Sequence, residues 1–120
     1  MTVTRSILIV EDEPLIAMML EDFLDSLGHS IRGSCDTVEA ALAAVEAGGF
    51  DIAILDVNLK GDNVWPVAKR LREMKVPFVI ATGGHVDPPP PEFDNAPVIE
   101  KPYTIDRVSP IIDAALAAAC

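Results

Sequence analysis

The chain is poor in the residues that build metal or disulfide frameworks. Cys35 and Cys120 are its only cysteines and His29 and His85 its only histidines, and the absence of any CxxC or HxxxH spacing argues against a zinc site and against a disulfide scaffold. Cys35 reads as a small core or strand-end residue and Cys120 as a terminal thiol. Cations are scarce as well: nine Lys and Arg stand against nineteen Asp and Glu, a net charge of −10. Such a field repels phosphate backbones and anionic lipid surfaces, so neither nucleic acid nor membrane is an expected partner. No apolar run approaches the roughly 20 residues that span a bilayer. Glu11, Asp12 and Glu13 interrupt the only stretch that could serve as a signal peptide, and a cytoplasmic location is expected. What is present is ordinary for a folded chain: 120 residues, half of them apolar and 23% charged, enough for one domain and no second module.

Ser6 to Val10 (SILIV) is a nearly continuous apolar, β-branched run, the pattern of a strand buried on both faces of a parallel sheet. Behind it, in EDEP, Pro14 has the fixed φ and missing donor that suit a first helical turn, with acids where the helix dipole favours them. Ile16, Met19, Leu20, Phe23, Leu24 and Leu27 follow the three-four spacing of one buried face, and Gly28 supplies a stop, so a helix is predicted over 14–27. His29 to Ser34 reads as a short edge strand, where the interruption by Arg32 and Gly33 is tolerated. Asp36 or Thr37 can cap a second helix with Val38, Ala41, Leu42 and Val45 on one face, closed by Gly48 and Gly49. Phe50 to Leu55 predicts a third strand ending in Asp56. Lys60 to Asn63 (KGDN) reads as a turn. Trp65 beside Pro66 then opens a third helix, with Val64, Val67, Ala68 and Leu71 inward and Lys69, Arg70 and Arg72 outward, ending before Val76. Val76 to Ala81 predicts a fourth strand, followed by Thr82. The prolines from Pro88 to Pro91 exclude an ordinary helix interior. Val98 to Glu100 makes a short fifth strand, and Val108, Ile111, Ile112, Ala115, Leu116 and Ala119 a last helix.

Strands alternating with helices across short loops imply right-handed βαβ crossovers, hence a doubly wound α/β domain with a five-stranded parallel sheet. In such sheets ligands bind beyond the carboxyl ends of the strands. Those positions hold Glu11 and Asp12 after the first strand, Asp56 after the third, Thr82 after the fourth and Lys101 after the fifth. With the strand order 2-1-3-4-5, three carboxylates converge between strands one and three, flanked by a hydroxyl and an ammonium. Carboxylates a few Å apart repel, and a hard divalent cation such as Mg²⁺, which takes oxygen ligands and pairs with phosphates, relieves that repulsion. Asp56 could then attack phosphorus to give an aspartyl phosphate. Lys101 would neutralise one phosphoryl oxygen and Thr82 hydrogen-bond another. Phosphoryl transfer depends mainly on positioning and electrostatics, so no separate general base is needed.

Over essentially its whole length the chain resembles the receiver domains of two-component response regulators, which have the flavodoxin-like fold. The motifs ILIVEDEP, ILDVNL, IATG and EKP stand in that family's order and spacing. The resemblance implies that Asp56 is the phospho-acceptor, Glu11 and Asp12 the metal-site acids, Thr82 the signalling hydroxyl and Lys101 the phosphate partner. It further implies that the backbone carbonyl of Asn58 is a metal ligand, that its side chain tunes the phosphoryl lifetime, and that the Lys101–Pro102 bond is cis. More narrowly, VEDEPLIAM, LDVNL, WPVAKRL and PFVIATGG resemble single-domain receivers of alphaproteobacterial stress signalling. Those carry an F-A-T-G-U-Y run and are paired with HWE-type histidine kinases; here Ile80, Gly84 and His85 depart from that run.

Two further departures matter. Receivers place Tyr or Phe three residues before the lysine, where this chain has Val98, so the usual aromatic switch is missing. The prolines lead to the expectation of a short or absent fourth helix and a mobile segment from Gly83 to Ala96. The implied function is a single-domain response regulator, phosphorylated by a histidine kinase or a phosphotransfer protein, in monomeric or weakly dimeric form. Its output is either contact with a downstream protein, such as an anti-sigma system partner, or the draining of phosphate from a shared kinase. It is a signalling domain rather than an enzyme, with self-catalysed phosphotransfer and autodephosphorylation at most. Two alternatives stay open. A phosphorylation-independent scaffold with a relict site would keep its partners without Asp56. An aspartyl phosphatase would want a second acid two residues past its nucleophile, where Asn58 stands. Taken one by one, Glu11 and Asp12 could be helix-start acids, Asp56 a strand-end cap, Thr82 a turn residue and Lys101 a surface amine; their joint placement on one sheet edge is what argues for a site.

Overall fold

A strand covered on both faces needs apolar side chains at odd and even positions alike. SILIV meets that condition and forms the inner strand β1 (Ser6–Val10), with Ile7 to Val10 all buried in this computed structural model, which describes residues 5–59, 62–82, 98–100 and 110. IAILD does the same in β3 (Ile52–Asp56) alongside it. The edge strand β2 (Ser30–Cys35) flanks β1 on the other side, and β6 (Phe78–Thr82) and β7 (Val98–Glu100) continue the sheet beyond β3. All pairs are parallel, in the order β2-β1-β3-β6-β7. This is the expected order 2-1-3-4-5 once a small antiparallel hairpin, β4 (Asn58–Leu59) with β5 (Asp62–Asn63), is set aside.

Three helices cover the sheet among the described residues: α1 (Pro14–Ser26), α2 (Val38–Ala47) and α3 (Trp65–Glu73). Alternate strand residues divide between two cores. Ile7, Ile9, Ile52, Ile54, Val79 and Ala81 pack with Ala17, Leu20 and Leu24 of α1. On the opposite face Leu8, Val10, Ala53, Leu55, Phe78 and Ile80 pack with Ala41 and Val45 of α2 and Val67, Ala68 and Leu71 of α3. None of these helices is long and apolar enough to cross a membrane.

Local chemistry explains the boundaries. Pro14 opens α1, and Gly28 at φ 88° ends it, donating its N–H to Asp25 O at 2.9 Å while His29 N–H reaches back to Leu24 O at 3.0 Å. Thr37 caps α2 by accepting the Ala40 N–H at 3.1 Å. In β2 the register slips so that Ile31 faces Ile7 but Gly33 faces Leu8, leaving Arg32 as the extra residue of an edge-strand bulge.

Several boundaries differ from the sequence expectation. β3 starts at Ile52, because Phe50 and Asp51 belong to the connection from α2, where Asp51 Oδ2 accepts the Ser6 N–H at 2.8 Å. β6 starts at Phe78 rather than Val76, because the Val76 N–H is used to terminate α3 on Leu71 O at 2.9 Å. KGDN is more than a turn, since its last two residues form β5. Met19 lies off the axis of the buried stripe and is exposed, whereas Ala17 is buried in its place. The expected short or absent fourth helix with its mobile segment falls within 83–97, and most of the predicted last helix within 111–120; both lie outside the described residues.

Candidate functional site

The C-terminal ends of β1 and β3 are neighbours because those strands are paired, and their side chains carry the site. Glu11, the first residue past β1, continues the ladder by donating its N–H to Cys35 O at 2.9 Å. Its carboxylate is folded inward at 2% exposure, with Oε1 sealed from solvent and Oε2 accepting the Glu13 N–H at 3.3 Å. Asp12 is half-buried at the entrance to α1. Asp56 ends β3, pairs with Ala81 of β6, and is 7% exposed. One carboxylate oxygen from each of Glu11, Asp12 and Asp56 lies within 4.8 Å of the other two.

That donor set is made wholly of carboxylate oxygens, two of the three residues being buried. Hard cations such as Mg²⁺ take oxygen ligands of this kind, so the residues present fit that ion. The third and fourth strands bring further predicted residues to the same edge. Thr82 ends β6, with its backbone paired to Glu100 of β7. Asn58, two residues past Asp56, is the first residue of β4 and pairs with Asn63. Lys101 follows β7 directly in sequence and lies outside the described residues.

Other ionisable candidates are structural. His29 is buried, and its Nδ1 accepts the Arg5 N–H at 3.2 Å, which makes it a satisfied core histidine. Cys35 ends β2 as expected; burial, and then the neighbouring charge of Asp36, raise its thiol pKa, so it stays protonated. Trp65 is the first residue of α3 and packs against the core, as read from the sequence. The contacts that the sequence did not disclose are backbone ones: the Glu13 amide that holds Glu11, the Cys35 carbonyl that extends the ladder, and the β4–β5 hairpin. None has a side-chain signature.

Comparison with known proteins agrees with this architecture. Residues 7–108 match the model of the response regulator receiver domain. The solution structure of SdrG from Sphingomonas melonis Fr1 is similar with a TM-score of 0.83 and 53% identity, covering 99% of this chain and 98% of that one. The BeF3-activated conformation of SdrG from Pseudomonas melonis Fr1 matches with a TM-score of 0.80 and 54% identity, over 92% of this chain and 95% of that one. Among curated proteins, the phyllosphere-induced regulator PhyR of Methylorubrum extorquens is 34% identical over 118 residues, 92% of this chain and 43% of PhyR. The chain thus spans less than half the length of that curated relative, whereas it spans nearly all of the SdrG structure. With the flavodoxin-like sheet, the acidic cluster at its carboxyl edge and a family match across most of its length, the chain belongs to the response regulator receiver domain family, a signalling domain of two-component systems.

Proposed function

We propose that Asp56 accepts a phosphoryl group from a histidine kinase, of the HWE type, or from a phosphotransfer protein, in a reaction that requires Mg²⁺. The observation that carries this reading is the convergence of Glu11, Asp12 and Asp56 within 4.8 Å at the carboxyl ends of two adjacent parallel strands. Asp56 ends β3, an inner strand buried along its whole length, and that placement supports the role of attacking carboxylate. A new P–O bond forms from the Asp56 carboxylate as the P–N bond of the donor phosphohistidine breaks, and the imidazole leaves with that electron pair. Glu11, Asp12, Asp56 and the backbone carbonyl of Asn58 are the residues that would hold Mg²⁺. When bound, the ion supplies positive charge against the phosphoryl oxygens. Thr82 is assigned the hydrogen bond to one phosphoryl oxygen and Lys101 the charge opposite another.

Two observations support a protein donor and a phosphorylated signalling state. Leu15, Met18 and Met19 expose apolar surface on α1, which starts two residues past Asp12. SdrG, at 54% identity, adopts an activated conformation with BeF3, a group that stands in for phosphoryl. On this reading residues 1–120 act as one receiver domain in the cytoplasm. Phosphorylation changes its affinity for a downstream protein by favouring one of two conformations, or the domain drains phosphate from a shared kinase.

The test is incubation with acetyl phosphate and Mg²⁺, then with a phosphorylated histidine kinase, read by Phos-tag electrophoresis and intact mass. The expected result is one Mg²⁺-dependent, hydroxylamine-labile adduct that is missing from Asp56→Asn. Failure with both donors, with partner binding retained in Asp56→Ala, would instead establish a scaffold with a relict site.

A further inference from the structure

Charge is laid out unevenly along this chain, and two helix ends carry side chains that their own backbone disfavours. The stretch from Lys69 to Lys75 (KRLREMK) holds four of the nine cations. Between Arg5 and Arg32 there is no Lys or Arg, and that stretch contains α1 with Glu21, Asp22 and Asp25. The acidic helix α1 and the basic helix α3 lie on opposite faces of the sheet.

Both helices end in the same pair of hydrogen bonds. On α1 these run from His29 N–H to Leu24 O and from Gly28 N–H to Asp25 O; on α3 they run from Val76 N–H to Leu71 O at 2.9 Å and from Lys75 N–H to Arg72 O at 3.1 Å. Such a closure puts one residue in the left-handed region, which glycine enters without steric cost. Gly28 takes that place at φ 88°, whereas on α3 it is Lys75 at φ 60°. The turn works against a lysine, so the lysine serves something other than the turn. α1 has the complementary fault: Asp25 stands in its last turn with no cation nearby in sequence, although the carbonyl end of a helix disfavours negative charge. Strain and adverse charge held at the surface point to a contact that relieves them.

The two faults sit on stripes of matching spacing. Leu15, Met18, Asp22 and Asp25 recur every three or four residues of α1, and all are exposed. Pro66, Lys69 and Arg72 recur every three residues of α3 and are exposed, and Lys75 continues the row past the helix end. Each stripe is apolar near the carboxyl edge of the sheet and charged near the opposite edge, acidic on α1 and basic on α3. Arg70 is turned aside to Glu46 of α2, and the charge of Glu73 acts on Arg70. Among the described residues Lys69, Lys75, Asp22 and Asp25 form no ion pair.

We infer that the chain associates with a second copy of itself head to tail: the α3 stripe of one copy lies along the α1 stripe of the next, with Lys69, Arg72 and Lys75 against Asp22 and Asp25. Both stripes run from the carboxyl edge to the amino edge but on opposite faces, so each contact leaves a free α1 and a free α3, and the assembly is an open chain rather than a closed dimer. Exposed ion pairs each contribute at most about fivefold in affinity, so the association is weak and belongs to high protein concentration. A copy whose α1 is covered in this way does not present Leu15 and Met18 to a protein donor. The contact itself does not depend on the phosphoryl chemistry.

The experiment is sedimentation equilibrium of the full chain at increasing concentration. The weight-average mass of wild type is expected to climb from the 12.8 kDa of one chain, to pass twice that value without a plateau, and to fall when NaCl is raised. Two charge-reversed variants, Lys69→Glu with Lys75→Glu and Asp22→Lys with Asp25→Lys, are each checked for folding by circular dichroism and expected to remain single chains. An equimolar mixture of the two should associate again, because each variant's α3 then meets an α1 of opposite charge. A general loss of stability does not produce that rescue. A wild type that stays a single chain, a plateau at two chains, growth on adding salt, or a mixture that does not associate overturns the inference. If a reversed variant does not fold, Lys69→Gln with Lys75→Gln and Asp22→Asn with Asp25→Asn take their place; loss of association in both supports the contact, and association unchanged in either refutes it.

Discussion

Mg²⁺ should stabilise this domain against heat through Asp56, and the size of the effect can be worked from the cluster. Carboxylate oxygens within 4.8 Å of one another repel by at least about 0.9 kcal/mol per pair in bulk water and at least about 3.5 kcal/mol at an effective dielectric of about 20. With Glu11 and Asp56 buried, the bulk-water figure is the lower bound. A cation seated among them is therefore worth a few kcal/mol. Linkage gives a matching scale: a ligand at one hundred times its dissociation constant stabilises the native state by about 2.7 kcal/mol. For a chain of this size each kcal/mol moves the midpoint by about 3–5 °C, so saturating Mg²⁺ should raise Tm by about 10 °C. Thermal unfolding followed at 222 nm, with and without MgCl₂, measures this. NaCl at matched ionic strength is the control, because a Debye length of about 10 Å at 0.1 M exceeds the spacing of the cluster and screening cannot relieve it. Asp56→Asn removes one of the three carboxylates and should reduce the rise to under about 3 °C. The reasoning fails if NaCl reproduces the shift or if Asp56→Asn retains it in full.

Two other expectations concern the scaffold. Lys75 follows α3 at φ 60° and is the one described non-glycine residue in the left-handed region; that conformation costs a side-chain-bearing residue about 1–2 kcal/mol. Lys75→Gly should recover about 0.5–1 kcal/mol net of the extra freedom of the unfolded chain, raising the urea midpoint with an unchanged m-value. A lower midpoint would show that the lysine side chain contributes more than its backbone strain. Arg70 reaches from α3 to Glu46 on α2 in a two-pronged contact, with Nη2 to Oε2 at 3.1 Å, and the hydrogen bond from Arg70 holds the Glu46 pKa below its ordinary 4.5. A depressed folded-state value means that the contribution is present above the unfolded value and disappears as pH falls through the folded one. The urea midpoints of wild type and Glu46→Gln should accordingly differ slightly at pH 7 and converge in acid; a gap that widens on acidification would contradict the assignment.

What could be read from the sequence, and what could not, follows from where each signal resides. SILIV and IAILD declare themselves because strands buried on both faces must be apolar at every position, a pattern that surface strands and helices do not share. Strand order is not written in the strands themselves: given the order 2-1-3-4-5, β1 and β3 are neighbours, and in a parallel sheet the residues just past them, Glu11, Asp12 and Asp56, meet at one edge. Helix phase was less secure. A stripe drawn through Met19 instead of Ala17 differs by a fraction of a turn, and alanine gives a weak apolar signal even where it is buried. The hairpin was not readable, because two-residue strands are shorter than any window in which alternation can be counted. Backbone donors and acceptors leave no trace in residue identity. The Glu13 amide on Glu11, the Cys35 carbonyl and the Asn58–Asn63 pairing belong to that class. Side chains name the chemistry of this edge, and backbone hydrogen bonds, which depend on register rather than composition, hold Glu11 in place within it.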